Sequence, residues 1–150
     1  MKLSKDPNTT LVTYALGSCI GLTVWDPVAK VGGMQHYMRP DSKRSPEKAS
    51  ANPFMFGGTG VPRLFRQLYE HGANKRRVQI KAAGGSDLLD VNGTFNIGKR
   101  NYLLLGKMFW KNNVILDAED IGGTRPRTLR LRVGTGQVTV SSKSSKETEL

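Results

Sequence analysis

Apolar and polar residues alternate most clearly from Cys19 to Trp25, "CIGLTVW". Ile20, Leu22 and Val24 fall on one side, and Cys19, Gly21, Thr23 and Trp25 on the other, which is the period of a strand. Just before it, "TTLVTYAL" (residues 9–16) is β-branched and aromatic and ends at Gly17, a second strand pattern. The Asp-Pro pair of "DPVA" marks a turn at residues 26–29, followed by a strand over "KVGGMQHYM", where Gly32-Gly33 offers room for a bulge. "RRVQIKAAGG" and "VILDAED" predict two further strands. "TLRLRVGTGQVTVS" predicts a hairpin around Gly134–Gly136, with Leu129, Leu131 and Val133 inward and Arg130 and Arg132 outward.

Helical spacing appears twice. In "GTGVPRLFRQLYEHGA", Val61, Leu64, Phe65 and Leu68 share a face, with Thr59 as candidate N-cap and Gly72 as the stop. In "IGKRNYLLLGKMFWKNN", behind Asn96 as cap, the buried stripe is read as Leu104, Leu105, Met108 and Phe109. Residues 39–53 carry three prolines and no period and are expected to form a mobile surface loop. Residues 86–96 read as a loop with an Asn92-Gly93 turn. Residues 141–150 are expected to be a disordered tail. The order of elements predicts one α+β domain over residues 1–150, two helices packed on largely antiparallel, sandwich-like sheets.

Composition narrows the function classes. With 23 Lys and Arg against 12 Asp and Glu the net charge is +11, which calls for an anionic partner: nucleic acid, an anionic membrane surface or an acidic protein face. A nucleic-acid-binding module is disfavoured. The Arg residues of "RPRTLRLR" alternate with Leu as in any half-buried hairpin, and aromatic residues do not interleave with the basic ones. No apolar run nears the ~20 residues of a membrane span, so no membrane insertion is expected. The opening "MKLSKDPNTT" is polar rather than a secretion signal. One cysteine excludes an intrachain disulfide and fits a reducing, cytoplasmic setting. One Cys and two His at unhelpful spacing make no metal site, and no cofactor is expected.

Cys19 and His36 are the candidate chemistry. A lone cysteine is either a small buried apolar group or a nucleophile with a nearby base. If Asp26 to Ala29 form a four-residue turn, Trp25 pairs with Lys30 and Cys19 falls directly opposite His36, with Cβ atoms ~4.5–5.5 Å apart. A one-residue slip would put them on opposite faces. Gly32 and Gly33 permit close approach to the His strand, and the Thr13 hydroxyl is placed to orient the imidazole. Ser18, Gly33, Gly84, Gly85 and Ser86 are candidates to line the site, although Gly84-Gly85 equally reads as a strand-ending turn. His71 reads as a helix-end group, Glu119-Asp120 as a structural pair, and Trp25, Phe109 and Trp110 as core.

The blocks "LGSCIGLTVWDP", "GGMQHYM", "AAGGSDLL", "NIGKRN" and "AEDIGGTRPRTLRLRVGTGQV" together resemble the CheD family of chemoreceptor glutamine deamidases, in the family's order and over most of the chain. The resemblance implies a cysteine hydrolase acting on protein side-chain amides. Its nucleophile falls on Cys19, its base on His36 and its third residue on Thr13. It also implies a fold similar to that of the cytotoxic necrotizing factor toxins. Its substrate would be glutamines on the cytoplasmic helices of chemotaxis receptors, and its partner a CheC-type phosphatase. A catalytically idle scaffold that binds such a phosphatase would keep the same fold. The charge departs from the family's pattern: "KRSPEK", "NKRR" and "RPRTLRLR" are unusually basic, and Lys99 stands where an acidic residue is expected.

Overall fold

The strand over Ile20–Asp26 (β3) is buried along its whole length because both faces of its alternating pattern are covered. In the computed structural model, which describes residues 1–43, 45–87, 96–142 and 145–150, it lies at the centre of a five-stranded sheet. That sheet also contains β1 (Lys2–Ser4), β4 (Val31–Tyr37), β5 (Gln79–Gly84) and β6 (Ala118–Ile121), in the order β1-β4-β3-β5-β6. A second sheet has the order β2-β7-β8-β9, from β2 (Thr10–Leu16), β7 (Arg127–Arg132), β8 (Val138–Ser142) and β9 (Ser145–Glu149). Every pairing is antiparallel except β5 with β6.

The two faces of β3 feed two cores. Ile20, Leu22 and Val24 pack with Val61, Leu64 and Leu68 of α2 (Gly57–Glu70) and Leu105 and Phe109 of α3 (Ile97–Lys111). Trp25 and Met34 face the other way and pack with Leu11, Leu16, Leu129, Leu131 and Val140 of the second sheet. The result is three layers, helices on sheet on sheet, the α+β class expected. Each fully buried Leu or Val in these cores contributes ~1.5–3 kcal/mol. Gly21 leaves room for the second sheet: a Cβ there would lie 2.7 Å from Leu16 Cδ1.

Several expectations need correction. Residues 39–53 are not without regular structure, since they hold α1 (Pro46–Ala51) and start a 3-10 turn at Pro53–Met55. Proline at the first turn and Glu47 behind it suit a helix start. The expected disordered tail at 141–150 instead ends β8 and forms β9. Its polar residues find partners: Gln137 Nε2 donates to Glu149 Oε2 (2.8 Å), and Thr139 donates to Glu147. Leu150 packs against the inter-sheet core. Gly32-Gly33 hosts no bulge, because the β3–β4 register is unbroken from Asp26↔Val31 to Ile20↔Tyr37. α2 starts at Gly57 with Phe56 as N-cap, and Thr59 lies inside it with its hydroxyl donating to Pro53 O (2.5 Å). Trp110 is 82% exposed rather than core, whereas Phe109 and Trp25 are buried. The Asn92-Gly93 turn lies outside the described residues.

Candidate functional site

The turn between β3 and β4 differs by one position from the expected one, and this decides the register. Asp26 is the last residue of β3, and its Oδ1 accepts from the Val28 N–H (2.8 Å) and the Ala29 N–H (2.9 Å). Lys30 then takes a positive φ of 51°. The four loop residues are therefore Pro27–Lys30, and Asp26 pairs with Val31. Counting back, Gly21, not Cys19, is opposite His36. The pairing has moved by two residues. A strand's faces repeat every two, so the two-residue shift keeps His36 on the face that Gly21 carries, and Cys19 lies one residue before β3, beyond the end of the ladder. That face turns toward the second sheet, and the half-buried Cys19 packs at the edge of the inter-sheet core.

Thr13 reaches the same place from the other sheet. β2 carries a bulge: Thr13 pairs with Leu129 and Leu16 with Arg127, so Tyr14 and Ala15 together oppose Thr128. Ala15 takes φ 55° there. The extra residue turns Leu16 inward to full burial while Tyr14 stays 65% exposed. Just before the bulge, Thr13 Oγ1 lies 2.9 Å from His36 Nδ1, a hydrogen bond from one sheet to the other.

After the bulge the chain crosses between sheets through Gly17-Ser18-Cys19, and all three carbonyls of that crossing are tied. Gly17 O accepts from the Ser86 N–H (2.9 Å), Ser18 O from Asn101 Nδ2 (2.9 Å) and Cys19 O from the Gly85 N–H (2.8 Å). Gly84 makes this possible: its φ is 118°, and a Cβ there would lie 2.1 Å from Cys19 O. Ser18 is thus part of the cysteine loop, and Gly84, Gly85 and Ser86 lie against it. Gly33 does not, since its Cα faces α2, where a Cβ would meet Leu64 at 2.7 Å.

Asn101 was not anticipated. It is fully buried in α3, and its Nδ2 also donates to Met38 O (3.0 Å), so one amide joins the cysteine loop to the end of the histidine strand. Its signal was available: Asn101, Leu105 and Phe109 recur every four residues, and a polar residue on that stripe must meet a buried partner. The Tyr37 hydroxyl donates to Asn101 O (2.9 Å), and burial pushes its phenol well above the usual range.

Electrostatics favour a neutral pair. Burial raises the Cys19 thiol above its ordinary value, with its own backbone N–H opposing the shift. Burial, with a smaller effect from the N-terminal ammonium, lowers the His36 imidazole. Among the described residues, no hydrogen bond joins Cys19 Sγ to His36, and no His, Cys, Asp and Glu cluster has a metal-binding arrangement. No described helix is long and apolar enough to cross a membrane.

The other candidates have structural partners. His71 caps α2, its Nδ1 2.8 Å from Gln67 O. Glu119 accepts from the Tyr102 hydroxyl. Asp120 binds Arg127 (2.7 Å) and Arg125 (3.1 Å), and Arg130 lies 3.8 Å from Glu147. Most of the "RPRTLRLR" charge is therefore engaged within the fold.

A family model described as CheD chemotactic sensory transduction matches residues 38–142. "Probable chemoreceptor glutamine deamidase CheD" of Solibacter usitatus (strain Ellin6076) is 51% identical over 88% of this chain and 78% of its own length. "Probable chemoreceptor glutamine deamidase CheD 1" of Syntrophus aciditrophicus (strain SB) is 46% identical over 99% of this chain and 93% of its own. "Probable chemoreceptor glutamine deamidase CheD 2" of Anaeromyxobacter dehalogenans (strain 2CP-C) is 44% identical over 95% and 89%. By the family model and by these relatives, the chain belongs to the CheD family.

Proposed function

We propose that this protein deamidates glutamine side chains of chemotaxis receptors in the cytoplasm, with Cys19 as nucleophile, His36 as base and Thr13 as the group that orients the base. The observation that carries this is the Thr13 Oγ1–His36 Nδ1 contact of 2.9 Å between the two sheets, with Cys19 on the loop entering β3 and packed at the edge of the same inter-sheet core. If the Thr13 hydroxyl accepts from Nδ1–H, the free lone pair lies on Nε2, where a base needs it. The names of the relatives supply the substrate class.

The steps balance without a metal or cofactor. His36 Nε2 takes the thiol proton as Sγ attacks the glutamine Cδ. The oxyanion is held by backbone donors at the cysteine loop. The backbone N–H groups of Ser18 and Cys19 are the nearest donors for this role, and the Cys19 N–H already lies toward its own thiol. The imidazolium returns its proton to the departing nitrogen, ammonia leaves, and a thioester remains. Water gives a proton to His36 and its oxygen to the thioester carbon, releasing glutamate and the thiol.

The two-sheet sandwich, with its cysteine on the loop entering a central strand, supports a fold relationship with the cytotoxic necrotizing factor toxins. The family supports a CheC-type phosphatase as a partner. A nucleic-acid role has less support, because Arg125, Arg127 and Arg130 are paired with Asp120 and Glu147. Incubation with a receptor cytoplasmic fragment should add about one mass unit per converted glutamine, and Cys19→Ala should abolish it. Undiminished conversion by Cys19→Ala would refute the mechanism.

A further inference from the structure

Beyond His36 the chain leaves β4 and builds a cleft that the chemistry above does not use. Met38 N–H and Arg39 N–H both donate to Met55 O (2.9 and 3.1 Å), Gly57 N–H donates to Arg39 O (2.8 Å), and Gly58 N–H donates to Pro40 O (2.9 Å). This pins residues 38–40 against the start of α2. Between them and the start of α3 lies an open cleft of about 670 Å³, with Phe56 and Ile97 in its wall and Arg39, Lys43 and Arg100 around it. Among the described residues that line it, Asp41 is the one acidic residue against three cations. Its three cationic side chains are exposed and make no ion pair among the described residues, unlike Arg125, Arg127 and Arg130.

Both walls are tied to the cysteine loop. Arg100 precedes Asn101, whose Nδ2 holds Ser18 O and Met38 O at 2.9 and 3.0 Å. Arg39 follows His36 by three residues. A nearly extended chain covers ~10 Å in three residues, and an α-helix rises that far in about seven residues, two turns. A helix that presents its glutamine to Cys19 can therefore place a side chain two turns away in the cleft.

We propose that the Arg39–Lys43–Arg100 cleft binds acidic side chains of the substrate helix, about two turns from the target glutamine, and so helps select which glutamine is deamidated. This rests on the deamidase reading, and it adds a second, electrostatic point of recognition. The cleft binds carboxylates through freely hydrated cations at its rim, an arrangement that governs selectivity and encounter more than the chemical step. The exposed side chain of Ile97 suits the methylene groups of Glu better than the shorter Asp.

The test uses two helical receptor-type peptides, each with one glutamine. One carries two Glu residues two turns from it, and the other carries Gln-free neutral residues there. Wild-type enzyme should favour the acidic peptide in kcat/KM by about tenfold, mostly through KM, and the preference should shrink as salt rises. Arg39→Glu/Arg100→Glu should erase or invert the preference, and a peptide with Lys in place of the two Glu should regain it with that variant. Arg132→Glu, which makes a like change of charge on the second sheet, should retain it. Equal preference in wild type and the double variant, or equal loss with Arg132→Glu, would overturn the proposal. Binding of the labelled peptides to Cys19→Ala, read by fluorescence anisotropy, separates the two claims: loss of the acidic preference there overturns the cleft even if deamidation stands. Tight acidic-peptide binding that depends on Arg39 and Arg100 upholds the cleft even if no deamidation is seen.

Discussion

Asp26→Asn is the sharpest perturbation of the turn that sets the β3–β4 register. The Asp26 side chain is fully buried. Its Oδ1 accepts from Val28 and Ala29, while Oδ2 accepts from the Asn74 N–H (2.7 Å) and pairs with Arg77 Nη2 (3.0 Å). Burial alone would raise this carboxyl. The N–H donors of Ala29, Asn74 and Val28 and the Arg77 guanidinium more than offset that and hold it at about 2, below its ordinary 3.8. That depression corresponds to about 2 kcal/mol of stability. Because the folded-state value is the lower one, the contribution is complete above about pH 4 and is lost as pH falls through about 2. Asn keeps one acceptor but sets an NH₂ against Asn74 N–H or the guanidinium, so the variant should lose about 2 kcal/mol at pH 7. Urea denaturation of both proteins at several pH values measures it. The difference should be largest at neutral pH and should narrow below pH 4. A difference that stays constant to pH 2.5, or one below about 0.5 kcal/mol at pH 7, would refute the assignment of this carboxylate as the turn's anchor.

Three further outcomes follow from the site. Gly84→Ala should cost on the order of 3 kcal/mol, because an L side chain is strained at φ 118° and its Cβ meets Cys19 O; a thermal melt within a degree of wild type would contradict this. Asn101→Leu leaves Ser18 O and Met38 O without their shared donor, so it should cost about 2 kcal/mol and lower kcat by displacing the cysteine loop; a lowered melting temperature with unchanged kcat would limit Asn101 to stability. The acid limb of kcat/KM should lie below the ordinary histidine value, since burial lowers His36 and a base must be unprotonated; a limb centred above 6.5 would contradict the burial argument.

How far the sequence could be read depended on which interactions decide each element. β3 was legible because Ile20, Leu22 and Val24 alternate with small or polar residues at 21 and 23, even though both faces are buried. β7 was legible because one face is buried and the other is more open: Leu129 and Leu131 are buried while Arg132 is exposed. The strand at Ser145–Glu149 was not legible, because its stability comes from polar cross-strand partners such as Gln137 with Glu149, which hydropathy cannot see. The burial of Asn101 was readable from its place on the Leu105–Phe109 stripe, but its partners were not, since they are backbone carbonyls 63 and 83 residues away in sequence. The cysteine–histidine pair shows what survives an error of detail. The turn was misplaced by one residue because proline's preference for a turn placed Asp26 inside the loop, whereas its carboxylate caps the loop from the end of β3. Moving the loop by one residue shifts the pairing by two, an even number, so the face is preserved although the partner is not. A register error of one would have sent His36 to the helix side with Tyr37's neighbours. The placement of His36 on the face of Gly21, Thr23 and Trp25 was therefore insensitive to the turn's position, provided the loop length of four held. That length is the quantity on which the geometry of Cys19 and His36 depends.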